Sequence, residues 1–189
     1  MNYIISFILP YLLGSISGAY LVVKAMTGKD VRLIGSSNAG ATNAGRAAGK
    51  IGFLLTLLID ALKVWTALFI VIKITGTGNN ELILLICCLG LMVGHLFPLF
   101  LGFKGGKGVV VYLASALYIY PFSILVFAAV MMVSYGILRK YTISGFISMA
   151  SIPLSAVMIS DSWMITLNLL LLFFFVLASH NKSNRLKSD

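Results

Sequence analysis

The chain alternates between long apolar runs and short polar segments, and the runs are long enough to cross a lipid bilayer. A hydrocarbon core about 30 Å thick requires about 20 apolar residues in a helix, and a helix satisfies its own backbone hydrogen bonds inside that core. The pattern therefore predicts an all-α integral membrane protein with seven transmembrane helices. The predicted spans are 3–23, 51–72, 82–101, 109–120, 122–138, 143–159 and 163–179.

The composition supports the same class of protein. Hydrophobic residues make up 60% of the chain and charged residues 10%, against about 45–50% and about 25% in soluble domains. These proportions exclude a soluble globular protein, a disordered chain and a secreted disulfide scaffold. Seven spans use most of the 189 residues, so we expect a single polytopic membrane domain over residues 1–189.

The segment 109–138 decides the number of spans, because it can form one long helix or two short ones. Pro121 disfavours helical geometry at Tyr120, and basic residues are expected to collect in cytoplasmic loops. With two helices here, twelve of the fourteen Lys and Arg residues lie on one side of the membrane. With one long helix, seven lie on one side and six on the other, and Lys63 is within a span in both cases. The twelve are Lys24, Lys29, Arg32, Arg46, Lys50, Lys104, Lys107, Arg139, Lys140, Lys182, Arg185 and Lys187.

The charge distribution therefore predicts the N-terminus outside and the C-terminus in the cytoplasm. The net charge of +9 follows from this topology and from the loops described next, and it does not indicate binding to nucleic acid. The segment 109–120 is too short to cross the bilayer alone at about 1.5 Å per residue, so we expect it to be tilted or partly inserted.

The first cytoplasmic segment is dense in hydrogen-bond donors and ends in an arginine. Its glycines allow backbone N–H groups to approach a ligand, and successive N–H groups form a concave anion site. Arg46 adds a planar guanidinium that binds phosphate in a bidentate manner. We interpret the segment as a phosphate-binding loop in preference to a flexible linker. The candidate ligand residues are Ser36, Asn38, Gly40, Thr42, Asn43 and Arg46.

A second glycine-rich loop on the same side comes directly before helix 109–120. Backbone N–H groups at a helix start, together with a nearby lysine charge, favour phosphate binding. The spacing differs from a Walker A loop, because a glycine follows the second lysine. Such a basic segment alone is often a membrane anchor, but the first loop on the same face favours phosphate binding. The candidate residues are Lys104, Gly105, Gly106, Lys107 and Gly108.

Several other polar residues lie at the ends of spans or inside them. Ser144 and His180 are at cytoplasmic ends, where their side chains can reach the loops. Asp60 and Lys63 are three positions apart within a span, so we expect an ion pair that orients this helix rather than a catalytic pair. His95, near the end of the third span, fits a site residue and a hydrogen-bonded structural residue equally well.

No metal site and no cofactor are predicted. The chain has two His and five scattered acidic residues, without an H-E-x-x-H motif or a carboxylate cluster. Neutral and cationic donors dominate instead. The predicted site therefore suits phosphate groups, with membrane lipids around the helices.

The motifs together resemble those of the bacterial acyl-phosphate:glycerol-3-phosphate acyltransferases, the PlsY family. The resemblance covers nearly the whole chain in one order, and the two loop motifs are its most specific part. The matching segments are Gly14–Ile16, Asp30–Arg32, GSSNAGATN with Arg46, Asp60–Lys63, GHLFPLFLGFKGGKG, Tyr141–Ser144 and His180.

The resemblance implies an enzyme of the bacterial cytoplasmic membrane that needs no metal or cofactor. Such enzymes transfer a fatty acyl group from acyl phosphate to the 1-hydroxyl of sn-glycerol 3-phosphate, which yields lysophosphatidic acid and phosphate. By motif position, it implies catalytic roles for Ser36, Arg46 and His180. It also implies a functional serine, Ser144, and a phosphate loop that consists of Lys104, Gly105, Gly106 and Lys107.

The chain departs from the family pattern at three positions. Ser17 and Val64 stand where the family usually has Pro and Gly, and Ser183 stands where it has Asn. Asn181 or Asn184 can take over the role of that asparagine through a shifted helix end. We include Asn184 among the expected binding residues.

Two other classes of membrane protein fit part of the pattern. A transporter of small anions or phosphate esters also needs cationic donors, but transporter sites lie at the midplane on broken helices of repeated halves. No repeat is visible in this sequence. A non-catalytic protein that recruits anionic lipid needs basic charge but no glycine-rich loops. The acyltransferase is therefore the preferred hypothesis.

Overall fold

The computed structural model describes residues 2–76 and 80–185, with side chains as far as Asn181. Every regular element in these ranges is helical, which confirms the all-helical fold predicted from the sequence. The α-helices within them are α1 (Asn2–Gly14), α2 (Gly18–Thr27), α3 (Ala41–Thr75), α4 (Glu81–Leu96), α5 (Val109–Ile119), α6 (Ser123–Leu138), α7 (Tyr141–Ile159) and α8 (Trp163–Arg185).

By length and composition, five helical segments among the residues described are able to cross a membrane. Helices α5 and α6 are also apolar but shorter, with 11 and 16 residues. A break at Tyr120–Phe122 separates them, so the segment 109–138 forms two helices, and α5 is only about 16 Å long. The five longer segments are Asn2–Thr27, Ala41–Thr75, Glu81–Leu101, Tyr141–Ile159 and Trp163–Asn181.

The first apolar segment is interrupted near its middle. Helix α1 ends at Gly14 and α2 begins at Gly18, whereas the sequence predicted one helix over 3–23. The Ser17 hydroxyl accepts the Tyr20 N–H at 3.3 Å, which is the usual role of serine at a helix start. The break leaves backbone carbonyls without helical partners in the apolar part of the protein.

Helix α3 begins before the span predicted over 51–72 and contains a kink. Ala48 is non-helical and Gly49 has a φ of +72°, so a first section of α3, 41–47, precedes the kink. This section is rich in alanine, which has the highest helix propensity, and it packs against α2. The buried cluster there contains Ala19, Val23, Val31, Ala39 and Ala44.

Helices α1 and α4 cross at a short distance because glycines line their contact. A methyl group at Gly14 would overlap the Leu91 carbonyl, and one at Gly94 would overlap the Tyr11 carbonyl. Small residues permit this close approach between membrane helices. The main core around α4 contains the buried side chains of Leu68, Leu91, Met92, Tyr112, Ile152, Leu169 and Leu172.

We expect Gly94→Ala to lower the thermal stability of the purified protein, because the added methyl group forces α1 and α4 apart. Overpacking of this kind costs about 1–3 kcal/mol. Gly136→Ala is the matched control, since nothing lies within 4 Å of a Cβ at this position in α6. Thermal unfolding in detergent should show a lower midpoint for the Gly94 variant alone. Equal midpoints for both variants and the wild type would mean that the contact tolerates the methyl group.

Candidate functional site

The structure places two loops side by side at one end of the helices. The first loop, 28–40, joins α2 to α3, and the second loop, 97–108, joins α4 to α5. The Ala39 N–H donates to the Gly105 carbonyl at 3.3 Å. The two glycine-rich segments that the sequence predicted to share one face are therefore in direct contact.

Arg32 provides a second link between the loops. Its guanidinium donates to the Leu101 carbonyl at 2.6 Å and lies over the Tyr20 ring at 5.6 Å. Asp30 holds the guanidinium in place, with 2.6 Å between Nη2 and Oδ2. The hydrogen bond from Arg32 in turn keeps the pKa of the Asp30 carboxyl group below its usual value.

Asn43 holds the first loop against the start of α3. Its side-chain NH₂ donates to the carbonyls of Val31 at 2.9 Å and Ile34 at 2.8 Å. Its side-chain oxygen accepts the Ser36 N–H at 3.0 Å. The residue is buried, so these contacts assign it to the framework of the loop, whereas the sequence placed it among the ligand residues.

Four other predicted residues of this region keep their polar groups available. Within the described part of the chain, no hydrogen bond or ion pair involves their side chains. Helix α3 begins after Gly40 without a side-chain cap, so backbone N–H groups of its first turn also remain available to an anion. The four residues are Ser36, Asn38, Thr42 and the exposed Arg46.

The backbone of the second loop is anchored to the end of α4. The Gly105 N–H donates to the Leu96 carbonyl at 3.2 Å, and the Gly106 N–H donates to the His95 carbonyl at 3.1 Å. A Cβ at Gly106 would overlap the His95 ring, so only glycine fits there. The two central glycines therefore direct their amides into the protein, whereas the sequence suggested that they face a ligand.

The other donors of the second loop surround the start of α5. Gly108 has a φ of +79° and precedes α5 without a side-chain cap, which leaves amides of the first helical turn available. Lys104 is exposed and Lys107 is half-buried. The helix dipole and the two ammonium groups together favour an anion at this position.

The C-terminal part of α8 is tied to the second loop. The Ser179 hydroxyl donates to the Lys107 carbonyl at 3.0 Å. The next residue, His180, donates from Nδ1 to the Val176 carbonyl at 3.1 Å and packs edge-on against Phe146, with ring centroids 4.8 Å apart. Since Nδ1 carries the proton, Nε2 of the neutral ring is left as a hydrogen-bond acceptor.

The remaining predicted positions near α7 and α8 differ in their surroundings. Ser144 is fully buried near the start of α7, and its hydroxyl has no hydrogen-bond partner among the described residues. Asn181 is exposed. The side chain of Asn184 lies outside the described residues, as does that of Ser183.

The ion pair predicted inside the second span is present. Lys63 Nζ lies 2.8 Å from Asp60 Oδ1, and both side chains are buried. His95 joins the pair, because its Nδ1 is 3.0 Å from Lys63 Nζ. His95 therefore belongs to a buried network that ends beside the second loop.

A cleft of about 360 Å³ opens at the kink of α3. Its walls are largely apolar, with one ammonium group at the rim, and Arg46 is a direct chain neighbour of one lining residue. A cleft of this kind suits an amphiphilic molecule. It is lined by Gly45, Gly49, Lys50, Phe53 and Leu54.

Sequence reasoning did not identify two residues that assemble the site. For Arg32, the D-x-R spacing indicates a local pair with Asp30, but not the bond to Leu101 in the second loop. For Ser179, nothing in the sequence points to the Lys107 carbonyl. Across the described residues, no group of three or more His, Cys, Asp or Glu side chains is placed to hold a metal ion.

We expect Asn43→Ala to loosen the first loop, because the substitution removes three hydrogen bonds and leaves the Ser36 N–H unpaired. A buried group left unpaired costs about 1–3 kcal/mol. Trypsin should cut the variant faster than the wild type after Arg32 or Arg46 under native conditions. Thr42→Ala, at the exposed neighbouring position, is the control and should keep the wild-type cleavage rate. Unchanged cleavage of the Asn43 variant would contradict the framework role.

The chain is similar to glycerol-3-phosphate acyltransferases over almost its full length. The family model described as glycerol-3-phosphate acyltransferase matches residues 4–188. The glycerol-3-phosphate acyltransferase of Thiobacillus denitrificans is 35% identical over 188 residues, which cover 99% of this chain and 94% of that protein. Glycerol-3-phosphate acyltransferase 1 of Desulfitobacterium hafniense is 37% identical over 177 residues, which cover 93% and 85%.

Solved structures with a similar fold include two crystal structures of PlsY, an integral membrane glycerol 3-phosphate acyltransferase. The glycerol 3-phosphate form superposes with a TM-score of 0.86 at 28% identity, covering 100% of this chain and 93% of that chain. The lysophosphatidic acid form gives a TM-score of 0.83 at 27% identity, with the same coverage.

Proposed function

The chain belongs to the glycerol-3-phosphate acyltransferase family and is a multi-pass membrane enzyme, and from this premise we propose its donor, its site and its orientation. The donor is an acyl phosphate. The acceptor is the 1-hydroxyl of sn-glycerol 3-phosphate, and the products are lysophosphatidic acid and inorganic phosphate. The enzyme uses no cofactor.

The observation that carries this proposal is a pair of open helix starts in adjacent loops. Helix α3 begins after Gly40 and α5 begins after Gly108, both without a side-chain cap. The Ala39–Gly105 hydrogen bond holds the two loops together. Each helix start attracts an anion, so the arrangement supplies two phosphate sites for a reaction in which both substrates carry phosphate.

We assign roles by position in the two loops and at the ends of α7 and α8. Ser36, Arg46 and His180 act at the reacting groups, and Ser144 lines the site from α7. The framework residues Asn43, Gly105 and Gly106 hold the loops in position without contacting substrate. The residues that bind the phosphate groups and the glycerol are Asn38, Gly40, Thr42, Lys104, Lys107, Gly108 and Asn184.

The proposed reaction is a direct acyl transfer. The glycerol oxygen attacks the acyl carbon and forms the ester C–O bond, while the C–O bond to phosphate breaks and phosphate leaves with the electron pair. Arg46 and Lys107 stabilise the negative charge that develops on the acyl oxygen and on the phosphate. His180 Nε2 orients the glycerol hydroxyl, whose proton passes to the phosphate of the glycerol substrate.

We place the acyl chain of the donor in the cleft at the kink of α3. Phe53 and Leu54 provide apolar walls, and a long alkyl chain gains about 0.8 kcal/mol for each buried CH₂ group. Arg46 lies directly after Gly45 at the start of this cleft. An acyl phosphate bound there has its headgroup beside the guanidinium.

The orientation we propose has seven spans, with the N-terminus outside and the C-terminus in the cytoplasm of a bacterial cell. The distribution of basic residues supports it, because both candidate loops lie on the basic side. Soluble glycerol 3-phosphate then reaches the site from the cytoplasm. The acyl phosphate reaches it from the cytoplasmic leaflet of the cell membrane.

We expect Arg46→Ala and Lys107→Ala each to lower the activity of the purified enzyme by about tenfold or more, because each removes a donor for developing negative charge. Phosphate release from palmitoyl phosphate and labelled glycerol 3-phosphate measures the activity. Lys29→Ala is the matched control, an exposed cation of the first loop with no assigned role. Wild-type rates for both test variants would refute the site assignment.

The topology has its own test, in which single cysteines replace Lys140 and Asp161. Seven spans place position 140 in the cytoplasm and position 161 outside, whereas one long helix over 109–138 exchanges the two. In cells whose cytoplasmic membrane is intact and whose cell wall or outer membrane has been removed, a membrane-impermeant maleimide should label only position 161. Cys87 and Cys88 are buried, so the background is low. Labelling of position 140 alone would refute the proposed orientation.

A further inference from the structure

The Lys63 ammonium group is enclosed by four acceptors inside the membrane-spanning part of the protein. It lies 2.8 Å from Asp60 Oδ1 and donates to the carbonyls of Gly14 at 3.1 Å and Ile16 at 2.7 Å. The fourth neighbour is Nδ1 of His95, at 3.0 Å. A charge at this depth is tolerated only with such partners.

Two of these acceptors come from the break between α1 and α2. The carbonyls of Gly14 and Ile16 have no helical partner there, and the ammonium group supplies the donor that they lack. Asp60 Oδ1 accepts the Gly18 N–H at 3.3 Å on the other side of the break. The Asp60–Lys63 pair therefore clamps both ends of the interrupted helix.

The histidine extends this clamp to the second loop. An ammonium group can only donate, so Nδ1 of His95 accepts and the neutral ring carries its proton on Nε2. The Nε2 edge lies against Gly106, where a Cβ would overlap it and would be 2.9 Å from the Ala39 carbonyl. The His95 ring therefore packs directly against Gly106, at the point where the two loops meet.

The backbone at the same position is also part of the connection. The carbonyl groups of His95 and Leu96 accept the N–H groups of Gly106 and Gly105. A rotation of the His95 ring or a shift of the end of α4 would therefore move both glycines. Because Gly105 is bonded to Ala39, the first loop would move with them.

We propose that Asp60, Lys63 and His95 form a positioning network that sets the distance between the two phosphate-binding loops. In this proposal the three residues do not touch substrate and act through the backbone of Gly105 and Gly106. The inference rests on the proposed phosphate-binding role of the second loop. The proposal thus gives the buried Asp60–Lys63 pair a role in the active site. A pair that served only to pack the helices would not need a histidine that reaches the second loop.

The test measures kcat and the KM values for palmitoyl phosphate and glycerol 3-phosphate in purified variants, with thermal unfolding alongside. His95→Ala should raise the KM of at least one substrate by about tenfold or more, because small displacements of a binding group have large effects. We expect kcat to change much less. His95→Gln, which keeps a polar side chain under Gly106, should restore part of the loss.

The ion pair is tested with Asp60→Asn/Lys63→Met, which removes both charges together and leaves no unpaired ion. This double variant should show the same rise in KM as His95→Ala. Ser115→Ala is the matched control, because Ser115 is a fully buried serine of α5 that lies beyond the first turn of this helix. It should keep the wild-type KM values even if its unfolding midpoint falls.

Gly106→Ala separates the two proposals. If this variant raises KM while folded His95 variants keep wild-type KM values, the positioning network is wrong and the loop assignment stands. If Lys107→Ala leaves kcat and both KM values unchanged, the phosphate-binding role of the second loop fails. If His95→Ala does not fold, His95→Gln and the double variant decide, and wild-type KM values in both overturn the network.

Discussion

One buried cation organises the part of the protein that carries the site. The Lys63 ammonium group can remain in the membrane-spanning region only because Asp60, two backbone carbonyls and His95 surround it. The carbonyls are available only because the first apolar segment is broken after Gly14. The charge and the break therefore depend on each other, since neither unpaired carbonyls nor an unpaired ammonium group is stable in hydrocarbon. This single ammonium group therefore joins the break between α1 and α2 to α3 and α4.

The loops above this network follow the rule that buried backbone groups must be paired. The amides of Gly105 and Gly106 satisfy the last carbonyls of α4, and Asn43 pairs an amide and two carbonyls of the first loop. These residues of the motifs build the loops. The open first turns of α3 and α5, with Arg46, Lys104 and Lys107 nearby, are then the donors that an anion can reach. Each motif thus combines residues that build the loop with residues that we propose as ligands.

Hydropathy was sufficient to predict helices and a membrane protein, because a bilayer admits few alternatives for long apolar runs. The motifs were sufficient to predict the acyltransferase family, which the comparisons confirm. The Asp60–Lys63 pair was also predictable, because residues three apart share a helix face. The break after Gly14 was not predicted, because residues 14–18 read Gly-Ser-Ile-Ser-Gly, and small residues of this kind also occur inside unbroken membrane helices. The bond from Arg32 to Leu101 spans 69 positions, and no local pattern contains such a contact.

The acidic residues explain how the site stays cationic. A free carboxylate near the loops would repel a phosphorylated substrate, whereas the two acidic residues near the loops in the described part of the chain each face a cation. Asp30 is paired with Arg32 and Asp60 with Lys63, and each pair holds a loop or a helix break in place. Glu81 lies at the opposite end of α4, where it accepts the Ser162 hydroxyl. The carboxylates that build the framework are therefore paired, while Arg46 and Lys104, which have no ion-pair partner among the described residues, add positive charge to the proposed site.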